Sequence, residues 1–263
     1  MARFLKKHKQ EIGRSPDELL FYGERKIENV FLRIIDFDPN NLTEDAVSTV
    51  NDILKYQDKD SVTWFNIDGL HNIAIMEEIA RGFKLDNLIL ADVMRTQSRP
   101  KVQEHDNCIF VSIKMLRFEE ETDRVRVENL SLIITESVLI TFQERKGDVF
   151  EPVRERIRKQ KKRIRNSGTD YLTFALLDVV IDNYIYIISV LGDKIETLEE
   201  NLLLEPTQSV IEEINRYKRE LNYLRKNIKP AKEMILNLVK IESEFIHEST
   251  DVHFKELLNN INH

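Results

Sequence analysis

The sequence predicts an α/β (α+β) fold: a mixed β-sheet sandwiched by helices, then a long antiparallel helical hairpin and the start of one more helix. Three observations predict it. Strand-like and helix-like runs alternate as far as Gly147. Beyond Gly147 every run has a helical period. Residues 210–238 then place apolar side chains at alternating steps of four and three, a heptad seam of about four repeats. These changes predict a sheet domain over 1–147, a helical hairpin region packing on it over 148–248, and a last helix beginning within 249–263.

Taken in order, residues 19–23 (LLFYG) and 30–37 (VFLRIIDF) are short β-rich runs, the second closed by Asp38-Pro39-Asn40-Asn41. Thr43 reads as the N-cap of a helix reaching Leu54, because Ala46, Val47, Val50 and Leu54 recur at helical spacing. A strand over 62–69 (VTWFNIDG) precedes helices expected over 72–83 and 86–95, the second stopped before Arg99-Pro100. Runs at 101–105, 108–118, 125–135 and 137–143 follow one another across polar turns, which predicts an antiparallel meander.

Asp148 suits the cap of the next helix, with Pro152 tolerated in its first turn. Gly168 breaks that helix and Thr169 caps a new one running to about Leu204. Pro206-Thr207 forces a reversal into the heptad helix, which Pro230 should kink. The hairpin is about 50 Å long at 1.5 Å per residue. Its tip is acidic, with Glu196, Glu199, Glu200 and Glu205. Ser249-Thr250-Asp251 opens the final helix.

Composition narrows the function classes. With 263 residues, 41% hydrophobic and 32% charged, the chain has the make-up of a globular, helix-leaning protein. A net charge of −7 argues against a nucleic-acid partner, which needs basic surface. Cys108 is the single cysteine, so no internal disulfide forms. The basic N-terminal run MARFLKKHKQEIG has no apolar core and is no signal peptide. Residues 171–191 are apolar enough to be taken for a membrane span, but Asp178 and Asp182 interrupt them. Each aspartate at mid-bilayer costs about 2.5–3.5 kcal/mol on insertion scales, so a helix buried against protein is the expectation.

No enzyme constellation is present: no phosphate-cradling glycine loop, no HExxH and no CxxC. The chain is therefore read as a non-enzyme. The six histidines are scattered, and His247 and His253, six apart, are poorly spaced for joint ligation. A basic run, Arg154 to Arg165, carries eight cations without interleaved aromatics. It reads either as an exposed helix neutralised by the acidic hairpin tip or a neighbouring subunit, or as a membrane-proximal surface. The carboxylates remain: Asp92, Glu256, and Asp178 with Asp182 side by side at i, i+4. They edge a solvated face or serve as hard oxygen ligands of the kind Mg²⁺ takes.

The runs LILADVMRTQSRPKVQEHDNCIFVSIKML (88–116), FQERKGDVFEPVRERIR (142–158) and DYLTFALLDVVIDNY (170–184) resemble the cytoplasmic portion of the CorA magnesium and cobalt channels, in order along nearly the whole chain. The resemblance implies a homopentameric membrane channel for Mg²⁺ or Co²⁺, whose cytoplasmic domains sense the ion between subunits. Asp92 matches a family aspartate facing the long stalk helix of the next subunit, and Glu256 aligns with its partner there. Asp178 and Asp182 match acidic positions near a second interfacial site; Ala91 departs from relatives that carry Glu. The two membrane spans and the Gly-Met-Asn signature are not in this stretch, so it is expected to be the soluble domain on the cytoplasmic side of the inner membrane, unable to conduct by itself. A zinc-transporting relative and a soluble coiled-coil scaffold are the alternatives.

Overall fold

Strand runs that are largely apolar on both sides, such as those over 108–116 and 138–142, build a sheet with two apolar faces. The computed structural model describes residues 12–57, 59–204 and 207–262, so the basic N-terminal run, Glu205 and Pro206 lie outside the described residues. The strands are β1 (Phe31–Phe37), β2 (Leu42–Val47), β3 (Val62–Asp68), β4 (Lys101–His105), β5 (Cys108–Glu119), β6 (Arg124–Ile134) and β7 (Val138–Gln143). They form one mixed sheet in the order β2-β1-β3-β7-β6-β5-β4. The meander from β4 to β7 is antiparallel, as its polar turns predict. The β3–β7 seam is parallel, with Asn66 opposite Thr141 and Asp68 opposite Gln143.

Two expectations fail near the first edge. Residues 42–47 form an edge strand, not the start of a helix. Only Asn51–Leu54 is helical (α1). Thr43, Glu44 and Asp45 all lie exposed on this edge, and the Asp38 carboxylate accepts from the Asn40 and Asn41 amides at 2.7 Å, closing the hairpin turn that makes 42–47 pair with β1. Charged side chains on an edge strand also deter further pairing. Residues 19–23 contribute no strand, only a bridge from Tyr22 to Arg95.

Successive strand residues face opposite sides, and each side has its own core. On one side Phe65, Ile67, Phe110, Ile133, Ile140 and Phe142 pack under α2 (Ile73–Gly82) and α3 (Asn87–Val93). Gly69, at φ +101°, turns the chain out of β3 toward α2, and a Cβ there would meet Ile27 at 2.9 Å. On the other side Trp64, Ile109, Val111, Leu130, Leu132 and Leu139 meet the second half of the chain.

That half is helical: α4 (Glu151–Arg158), α5 (Lys162–Arg165), α6 (Thr169–Leu204), α7 (Gln208–Leu238) and α8 (Glu248–Asn260). Asp148 caps less directly than expected. It lies two residues before Phe150, takes the Phe150 amide at 3.0 Å and grips Arg154 at 2.7 and 2.5 Å. Thr169 is the first residue of α6, and its hydroxyl donates to Thr135 O at 2.6 Å, tying the helix start to the β6–β7 turn. The start of α6 as far as Leu177 is buried throughout, and half of its membrane-like window lies inside the protein. Thr207 caps α7 by accepting from Val210 N, and α7 continues through Pro230. Of its heptad seam, Ile214, Tyr217, Leu224, Ala231, Ile235 and Leu238 are buried.

Part of the basic run is paired locally, and among the described residues none of it pairs with the hairpin tip. Arg154 pairs with Asp148, Arg158 with Glu44 and Glu151, and Lys159 with Glu155. Arg165 donates to the carbonyls of Asp38, Asn41 and Ile157.

One residue clasps the hairpin to the sheet. Asp123, in the β5–β6 turn at φ +53°, forms an ion pair with Lys194 of α6 at 2.9 Å and accepts hydrogen bonds from Arg216 of α7 at 2.6 Å and from the Tyr217 hydroxyl. Partial burial pushes its carboxyl up, but these three donors together outweigh that and hold it at about 2. A depressed carboxyl stabilises the fold above the ordinary aspartate range and stops doing so as pH falls toward 2. Asn tolerates the same left-handed backbone. Asp123→Asn should therefore cost roughly 1–2 kcal/mol at pH 7, after allowing for the solvent that reaches this corner, and almost nothing near pH 2. Urea unfolding midpoints across that range measure it.

Candidate functional site

The four carboxylates singled out in the sequence fall into two places on opposite sides of the sheet. Asp178 and Asp182 lie one turn apart on α6, Asp178 half-buried and Asp182 exposed. Glu256 reaches the same neighbourhood from α8. That helix buries Phe254 and Leu257 in the core beneath α6 and leaves Glu256 66% exposed by side chain. His253 is wedged against the rings of Tyr171 and Phe174, with centroids at 5.4 and 5.0 Å, and its Nδ1 is 3.8 Å from Glu256 Oε2.

The electrostatics at Asp178 follow from this packing. Burial pushes its carboxyl above the usual range, and the neighbouring Asp182 adds to that, with Glu256 contributing in the same direction. Arg156 and His253 oppose the rise. The α6–α8 face thus gathers three acids around one guanidinium and one imidazole, and Arg156 is also engaged with the Tyr171 hydroxyl at 3.2 Å. Sequence reasoning found Asp178 and Asp182 by their i, i+4 spacing and Glu256 through the family resemblance, and missed Arg156 and His253, which arrive from other elements.

Asp92 sits apart. It lies on α3, whose Ile89, Leu90 and Val93 pack into the other core. Its Oδ2 takes Lys101 Nζ at 2.5 Å and its Oδ1 lies 3.7 Å from Arg95. Within one chain Asp92 and Glu256 therefore cannot meet. Of the two cations, Arg95 at i+3 was legible in the sequence; Lys101 arrives only because β4 folds back beside α3. The loop between them is pinned by Lys114, whose buried ammonium donates to Thr96 O at 2.7 Å and to Asn129 Oδ1 at 2.9 Å. Among the described residues no group of three or more His, Cys, Asp or Glu side chains is arranged to hold a metal ion.

Comparison with known proteins agrees with the fold and narrows the family. The family model described as CorA-like Mg²⁺ transporter protein matches residues 59–263. The cobalt/magnesium transport protein CorA of Thermotoga maritima is 31% identical over 245 residues, covering 93% of this chain and 70% of that protein. Among solved structures, the soluble domain of CorA from Methanocaldococcus jannaschii superposes with a TM-score of 0.68 at 17% identity, covering 87% of this chain and 88% of that one. The cytoplasmic domain of ZntB from Vibrio parahaemolyticus superposes with a TM-score of 0.63 at 14% identity, covering 88% of each chain. At these identities the structures speak for the shared fold.

Because the Asp178 carboxyl is pushed up, its ionised form destabilises the fold as pH rises past the ordinary aspartate range. Asp178→Asn should raise Tm by about 2 °C or more at pH 7 in chelator, with the gain fading below pH 4. Calorimetric scans at both pH values test this, and a lowered Tm at pH 7 would show that Asp178 is held by attraction instead.

Proposed function

Since the chain belongs to the CorA-like Mg²⁺ transporter family, we propose that it is the Mg²⁺-sensing cytoplasmic domain of a homopentameric divalent-cation channel, closed by ion binding between subunits. One observation carries the proposal: the acids at Asp178, Asp182 and Glu256 share an exposed face with too few cations, while Asp92 lies on the opposite side of the sheet. Surfaces so placed complete one another only when Asp92 of one subunit faces Glu256 of the next. Mg²⁺ or Co²⁺ held there would supply the positive charge that the opposed carboxylates lack. Asp178 and Asp182 form the second interfacial pair.

The chain's own residues set the conditions. Lys101 already neutralises Asp92, so an arriving ion has to compete with a tethered ammonium, which raises the concentration at which it binds. Glu256, exposed and with only an imidazole 3.8 Å away, can turn toward a neighbour at little cost. With the ion absent, carboxylate repulsion loosens the interface; with it present, the closed ring is favoured by the difference in affinity between the two states. All four ligands are carboxylates, a donor set that suits Mg²⁺ better than zinc, which takes nitrogen and sulfur. This favours the magnesium reading over the zinc-transporting relative. The membrane-spanning part, the five-fold assembly and the cytoplasmic placement belong to the same proposal.

The test uses the full-length subunit in proteoliposomes, with flux followed by a Mg²⁺-sensitive dye. Asp92→Asn and Glu256→Gln should each raise the Mg²⁺ concentration for half-closure at least about tenfold, one 1.4 kcal/mol step. Closure at the wild-type concentration in both variants would overturn the bridging role.

A further inference from the structure

We propose a second divalent-cation site that lies within a single chain, formed by Asp68, Gln143 and Asp148, in which the Arg33 guanidinium is a tethered competitor. The site sits at the C-terminal ends of the parallel pair β3 and β7, where Asp68 and Gln143 are register partners on the face that also carries Trp64. Both are 0% exposed. Asp68 Oδ1 accepts from Asn66 Nδ2 at 2.9 Å, but Oδ2 accepts no hydrogen bond. Gln143 Nε2 donates to Asn66 Oδ1 at 3.1 Å and to Asp148 Oδ2 at 3.2 Å, and its Oε1 receives nothing. Two buried oxygens without donors are costly unless a cation or donor fills the place beside them.

Arg33 holds that place badly. Its NH2 nitrogen lies 3.2 Å from Asp68 Oδ2 and 3.8 Å from Asp148 Oδ2 without making a hydrogen bond to Asp68, and its buried Nε has no acceptor. The side chain is 39% exposed and lines a cavity of about 240 Å³, so it has room to withdraw. Glu44 and Asp45 line this cavity with Arg33 and Arg154, and Asp68 and Asp148 stand behind the Arg33 guanidinium. A hard ion that keeps most of its waters and takes one or two carboxylates and an amide oxygen fits this donor set. Asp148 stays bound to Arg154, so the affinity is weak, in the millimolar range typical of few-carboxylate sites.

Trp64 is the only tryptophan, and it lines the cavity, which makes the site directly observable. Mn²⁺ is the probe, titrated into the chain carrying Asp92→Asn, Asp178→Asn, Asp182→Asn and Glu256→Gln to remove the interfacial acids. Saturable quenching of Trp64 fluorescence is expected, weakened at least tenfold by Asp68→Asn and strengthened at least tenfold by Arg33→Gln. Absence of saturable quenching, or quenching indifferent to Asp68, would mean that water alone fills the place. If Asp68→Asn fails to fold by circular dichroism, Arg33→Gln decides: unchanged affinity overturns the proposal.

Discussion

Everything in the helical half depends on the burial of one helix. The first two turns of α6 are buried on all sides because the sheet lies beneath them and α7 and α8 lie beside them. Burying such a helix contributes roughly 25 cal/mol per Å² of apolar surface, repeated over Leu172, Leu176, Leu177, Val180 and Ile181. Further along, α6 loses its cover, and Ile185, Tyr186 and Ile188 come to the surface just past Asp182. The carboxylates thus stand where the helix passes from core to exterior. That position explains why Asp178 can be half-buried and still face its neighbours.

The same constraint sorts the charges. Asp148, Asp123 and Asp170 are each answered by donors from other elements; Asp170 takes the His247 amide at 2.9 Å and its imidazole at 3.0 Å, fixing the start of α8 to the start of α6. These are structural ions, satisfied within the chain. The acids of the α6–α8 face are not satisfied in this way, and Asp92 is satisfied by a lysine that is itself part-exposed. An unanswered acid at the surface and an answered acid held by a movable cation are what a reversible contact between subunits requires.

How much of this was legible depended on the range of the interaction. The strands over 62–68, 108–119, 124–134 and 138–143 announce themselves by β-rich apolar runs between polar turns, and the long helices by their periods. Residues 42–47 misled because Ala46, Val47 and Val50 mimic helical spacing, while the deciding force is a turn held by Asp38 and pairing to β1. Asp178 and Asp182 were visible as a pair because i, i+4 is local. Lys101 beside Asp92, Arg156 and His253 beside Asp178, and Arg33 beside Asp68 come from strands and helices that meet only in the folded chain. No spacing rule reaches them.

The parallel seam between β3 and β7 has a kinetic side. Strands β2, β1 and β3 pair through short connections, and so do β4 to β7, so each half of the sheet is local in the chain. The seam joins residues seventy-five apart, such as Thr63 and Val138. Chain-closure entropy makes it the slow, late contact. Across it run the hydrogen bonds from Trp64 Nε1 to Thr141, from Thr141 to Asn66 and from Gln143 to Asn66. A slip of one residue would turn all of these groups to the opposite, apolar face. The buried polar ladder therefore works as a register lock, penalising every misaligned union of the two half-sheets and leaving one alignment in which they can close.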